Sequence, residues 1–176
     1  MEVYIEKTKK WIEQFVIGLN LCPFASVPFQ QDKIRYVVNL SKNPDDLIRC
    51  FLEEMQFLDD KPSKEVETTL IIFPNQLNDF LAYLDFLTEA EEILEEVGLE
   101  GILQIASFHP EYQFANTAKE DAENYTNRSP YPMLHLLREA SVEQALRHYP
   151  EPENIPIENI LRLKELGVEG IKKLFS

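Results

Sequence analysis

Thr68-Thr-Leu-Ile-Ile-Phe73, stopped by Pro74, and Ile102-Leu-Gln-Ile-Ala-Ser-Phe108 are two short apolar runs separated by one long helical pattern. Runs of this length, rich in β-branched residues and bounded by turn formers, read as strands. Between them, Gln76 to Val97 place Leu77, Phe80, Leu81, Leu84, Leu87 and Leu94 on one helical face, and Gly98 closes the helix. Upstream, Ile34-Arg-Tyr-Val-Val-Asn-Leu40 reads as another strand. Asn43-Pro44-Asp45-Asp46 then opens a helix, with a capping side chain, a first-turn proline and acids at the positive end of the dipole. Its buried stripe is Leu47, Ile48, Phe51, Leu52 and Met55. The order β-α-β-α-β defines an α/β fold, and right-handed crossovers make its three strands parallel.

The flanks complete a single domain over residues 1–176. Ile5, Ile12, Val16 and Leu19, widened by Trp11 and Phe15, predict an N-terminal helix over 2–19 that ends at Gly18, Asn20 and Pro23. Val27-Pro-Phe-Gln30 adds a short edge strand, giving a small parallel or mixed sheet of three to four strands. From Ser129 onward the chain reads as a helical cluster covering an open sheet face. Ser129 caps a helix from Pro130, Ser141-x-x-Gln144 is a capping box, and Pro156 opens a last helix ended by Gly167.

Composition narrows the class. The chain has 176 residues and a net charge of −14, of which residues 53–100 supply 14 acidic and 2 basic side chains. That block reads as a solvated acidic face, or as a dock for a basic partner. It opposes nucleic-acid binding, which needs clustered Lys and Arg. No apolar run approaches the roughly 18 residues of a membrane span, and the N-terminus lacks a signal-peptide layout. A cytoplasmic location is expected. Two cysteines make no disulfide framework.

The connection after the third strand carries the unusual chemistry. Ser107-Phe-His-Pro-Glu-Tyr-Gln-Phe-Ala115 and Asp121-Ala-Glu-Asn-Tyr-Thr-Asn-Arg-Ser-Pro-Tyr-Pro-Met-Leu-His135 gather two of the three histidines, an arginine and several amides and hydroxyls. Long connections in compact domains carry function or are disordered, and this one is too aromatic for disorder. His109 lies just past the carboxyl end of a strand, where open α/β sheets bind ligands, and is the candidate acid–base group. Arg128 and the predicted helix start at Ser129 suit a carboxylate or phosphate, with Asn127, Tyr112 and Asn124 as further substrate contacts. The alternative for Arg128 is an ion pair with Asp121 or Glu123. His135, one helical turn before Glu139, is the assisting histidine or a surface pair with that carboxylate. His148 reads as a cation at a helix end. Cys22 is a candidate nucleophile or redox group, or simply a buried thiol, whereas Cys50 reads as core.

A metal site from Cys22, His109 and His135 with Asp121 is the competing arrangement, but no His-x-x-x-His or His-Glu-x-x-His spacing supports it and metal-free protein is expected. Leu163 to Leu174 faintly resembles a helix-hairpin-helix, which the acidity disfavours. No glycine-rich phosphate loop exists, so the sequence names no cofactor.

Leu19-Asn-Leu-Cys-Pro-Phe24, Phe108-His-Pro-Glu-Tyr-Gln-Phe114 and Asn124-Tyr-Thr-Asn-Arg-Ser-Pro-Tyr-Pro-Met-Leu-His135 resemble the family known as domain of unknown function 1415. The resemblance spans nearly the whole chain and brings no activity, cofactor or substrate. It implies that Cys22, His109, Arg128, Ser129 and His135 share a pocket. The expectation is a small enzyme acting on an anionic small molecule by hydrolysis or group transfer. The alternatives are a non-catalytic metabolite- or metal-binding protein using that pocket, and an acidic interaction module. The sequence leaves the oligomeric state open.

Overall fold

The structure, a computed structural model, describes residues 1–147 and 149–175, so the reading of His148 lies outside the described residues. Helix α1 (Glu2–Trp11) runs directly into a wider π-helical segment (Ile12–Ile17), which together make the predicted N-terminal helix. The wide turn bonds Gly18 N–H to the Glu13 carbonyl at 3.0 Å. A Cβ at Gly18 would lie 2.3 Å from the Gln14 carbonyl oxygen, so the turn needs glycine. The expected edge strand at 27–30 is instead helix α2 (Ser26–Gln30). Pro28 sits in its first turn, where a missing N–H costs no hydrogen bond.

Then follow β1 (Ile34–Val38), α3 (Asp45–Asp60), β2 (Thr68–Ile72), α4 (Phe80–Glu96) and β3 (Leu103–Phe108). Helix α4 starts at Phe80, later than the pattern predicts, because the Asp79 carboxylate accepts the Ala82 N–H at 2.9 Å and fixes the amino terminus there. Leu77 lies before it in a left-handed turn, Leu81 is 70% exposed, and the buried face is Tyr83, Phe86, Ala90 and Leu94. Gly98, at φ +77°, ends the helix as read.

The largest correction lies after Ser129. No helix begins at Pro130; Met133–Arg138 is a strand, β4, and α5 (Glu139–Arg147) follows it directly, so Ser141 and Gln144 fall inside that helix. The sheet order is β1-β2-β4-β3. β1 and β2 are parallel, and β4 runs antiparallel to both β2 and β3. The three strands expected to be parallel do point the same way, but β3 is not the neighbour of β2. Helix α4 carries the chain past one strand position, and β4 returns to fill it. Helix α6 (Ile155–Leu174) closes the described chain, with Gly167 leaving helical geometry inside it.

The sheet separates two cores. On one side α3 and α4 pack Phe51, Met55, Leu58, Tyr83 and Phe86 against Ile71, Leu103, Leu134 and Leu136. On the other, Trp11, Phe15, Tyr125, Leu163 and Ile171 cover Leu70, Ile72 and Met133. Tyr83 locks the end of β4 to β3: its buried hydroxyl donates to the Met133 carbonyl at 2.8 Å and accepts the Phe108 N–H at 2.9 Å. Tyr83→Phe strands both backbone groups in the core. It should destabilise the fold by about 1–3 kcal/mol, read as a lower urea midpoint; an unchanged midpoint contradicts this role.

Candidate functional site

Strand alternation decides which candidate residues meet. His109 follows β3 on the helix α4 side, with its ring 5.1 Å from that of Phe80 and 5.0 Å from that of Tyr83. His135 occupies the middle of β4 with Leu70 opposite it on β2 and Ala106 on β3. It shares the parity of Met133 and therefore faces the α1/α6 core. The sheet lies between the two imidazoles, so they do not form one pocket.

His109 is fully buried and both ring nitrogens are occupied. Nδ1 accepts the Glu111 N–H at 3.0 Å, which places the proton on Nε2, and Nε2 donates to the Leu77 carbonyl at 2.9 Å. Burial holds its pKa below the ordinary value. This neutral ring ties the left-handed Leu77 turn to the end of β3.

Arg128 is similarly committed. Its Nε donates to the Tyr112 carbonyl at 3.1 Å and Nη2 to the Lys119 carbonyl at 2.6 Å, while the guanidinium lies 4.5 Å from the Tyr125 ring centroid. Neither expected carboxylate takes it: Asp121 accepts the Ala118 N–H, and Glu123 pairs with Lys164 at 3.2 Å. Ser129 donates to the Tyr131 carbonyl and stands at no helix start, which removes the predicted helix-end anion site. Asn124, fully buried, accepts from Phe114 N–H and the Thr117 hydroxyl and donates to the Ala118 carbonyl. Asn127 donates to the Ser107 carbonyl, and the Tyr112 hydroxyl meets that of Ser107 at 3.3 Å. These side chains satisfy the backbone of a long connection that has only one 3-10 turn (Ala122–Thr126) of its own.

His135 is different. The single proton of the Thr68 hydroxyl goes to the Leu136 carbonyl, so that oxygen accepts from His135 Nε2 at 2.6 Å. Nδ1 has no hydrogen-bond partner among the described residues. Burial pushes the pKa down to about 4. Glu139 does not orient this ring as a helical neighbour, because His135 lies in a strand and Glu139 begins α5. Cys22 is partly buried beyond the π-helical segment, beside the Asn159 to Leu21 carbonyl bond of 2.7 Å, and burial foremost raises its pKa. Among the described residues no three His, Cys, Asp or Glu side chains converge as a metal requires.

Sequence reasoning missed a concavity on the acidic side. A groove of about 680 Å³ opens between the end of α3 and the segment after α4, floored by Leu52, Met55, Phe57, Val97 and Leu99. Glu53, Asp59 and Asp60 rim it, and no Lys or Arg lines it. Leu52, read as core, is 37% exposed there, and Val97 is 51% exposed. A second hollow of about 380 Å³ includes Glu91, Glu92, Glu95, Glu100 and Glu139.

These features define a three-layer α/β protein with an acidic helical face and a tightly bonded loop. The model of the family described as "Protein of unknown function (DUF1415)" matches residues 3–173, and the chain belongs to that family. No curated protein and no solved structure matches it.

The His135 environment sets a pH dependence. Its folded pKa of about 4 lies below the ordinary 6.5, so the unfolded chain binds the proton more tightly. The associated stability is present above about pH 6.5 and is lost as pH falls towards 4, roughly 3 kcal/mol in all. His135→Leu should flatten the stability curve over that window in urea titrations. An unchanged slope contradicts the assignment.

Proposed function

We propose that this is a binding protein whose acidic α3–α4 face docks a cationic partner. The observation carrying this reading is the groove itself, with an apolar floor under three carboxylates and no lining base. Among the described residues, Glu53 pairs with Arg49 at 3.9 Å, and Asp59 and Asp60 pair with no Lys or Arg. Arg35 and Lys61 lie over the Phe57 ring at 4.0 and 5.8 Å, but the wider block is rich in acid: between Lys64 and Lys119 the chain carries 11 carboxylates and no Lys or Arg. Such a surface speeds encounter with cationic partners and repels nucleic acid and anionic membranes. The committed hydrogen bonds of His109, Arg128 and Asn124 give the loop a supporting part in this reading.

One observation favours a catalytic alternative. His135 is neutral at physiological pH and its Nδ1 has no hydrogen-bond partner among the described residues, as a proton acceptor for a small anionic substrate would need. That reading keeps His135 and needs an anion contact other than Arg128.

The test compares two charge-matched variants binding a fluorescent oligolysine. Glu53→Gln, Asp59→Asn and Asp60→Asn together should weaken binding roughly tenfold. Glu2→Gln, Glu13→Gln and Glu158→Gln together should change it little. Equal losses mean general charge attraction and defeat the proposal.

A further inference from the structure

We infer that the occupant of the α3–α4 groove is one amphipathic helix of a different protein, cationic on its flanks, which lays apolar side chains between Leu52 and Val97. This rests on the acidic-face reading and adds the partner's shape. The groove is broadly open to solvent, and a small ligand in it would stay largely solvated, whereas pockets for such ligands bury most of their surface. A helix fills an open groove by its apolar stripe, and charged residues beside that stripe meet the groove's rim. Leu52 and Val97 stand half-uncovered beside the buried Met55, so the apolar floor reaches the surface. Asp59 and Asp60 at its rim have no basic partner among the described residues, leaving them for the flanks of the incoming helix.

The chain does not supply that helix itself. The helices richest in Lys and Arg, α1 with Lys7, Lys9 and Lys10 and α6 with Arg162, Lys164, Lys172 and Lys173, bury their inner faces at Thr8 and Trp11 and at Leu163 and Ile171. A second copy also carries −14 and is repelled.

The experiment titrates the full chain with two labelled leucine–lysine peptides of about 18 residues, roughly five helical turns. One has an apolar stripe at helical spacing; the other has the same composition scrambled so that no stripe forms. The striped peptide should bind at least roughly tenfold tighter. Leu52→Ser with Val97→Ser, which leaves every charge in place, should reduce it to the scrambled level. Val97→Ser alone, at an exposed site, should show part of that loss in protein with an unchanged melting profile. Equal binding of both peptides, insensitive to these substitutions, overturns helix insertion and leaves the acidic-face reading standing. No binding of either peptide at low salt overturns both. Concentration-dependent dimerisation abolished by the double substitution also overturns the inference, since the occupant is then a second copy.

Discussion

Strand β4 is held on both edges and both faces, and the remaining architecture depends on that enclosure. Its hydrogen bonds run to β2 on one edge and β3 on the other. Leu134 and Leu136 enter the α3/α4 core and Met133 the α1/α6 core, all fully buried. Truncating any one to alanine would remove about 2–5 kcal/mol, a large share of the stability of an ordinary domain. Without β4 the sheet would split between β2 and β3, and each core would lose its central wall.

The long connection before β4 follows from the same constraint. The chain leaves β3 at one end of the sheet and must re-enter beside it, pointing back. Tyr83 bonds the backbone on both sides of that re-entry, at Phe108 and Met133. His109, Arg128, Asn124 and Asn127 then satisfy carbonyls and N–H groups of a segment with little regular structure. The polar richness of this segment is first a solution to backbone hydrogen bonding.

Much of this was legible in the residues, and the failures have physical causes. β1, α3, β2 and β3 announce themselves through β-branched runs, a first-turn proline and a helical stripe. Met133-Leu-His-Leu-Leu-Arg138 has no β-branched residue and consists of good helix formers, so only its neighbours on both edges make it a strand. That single misreading placed His135 on a helix with Glu139 and Ser129 at a helix start. The loop stood out correctly as unusual, but local sequence does not show which partner each polar group finds. Leu52 and Val97 fit their helical patterns, and nothing local reveals that the elements diverge there into a groove.

Charge and shape then point to the same surface. The acidic block lies on α3 and α4, whose outer ends frame the apolar groove, while the described histidines and Arg128 lie elsewhere and are mostly spoken for. Hydrogen exchange on the full chain, with and without a striped leucine–lysine peptide, tests this assignment most directly. The account predicts new protection confined to residues 52–60 and 97–100. Protection centred instead on the 109–131 loop, or beside His135, would contradict it.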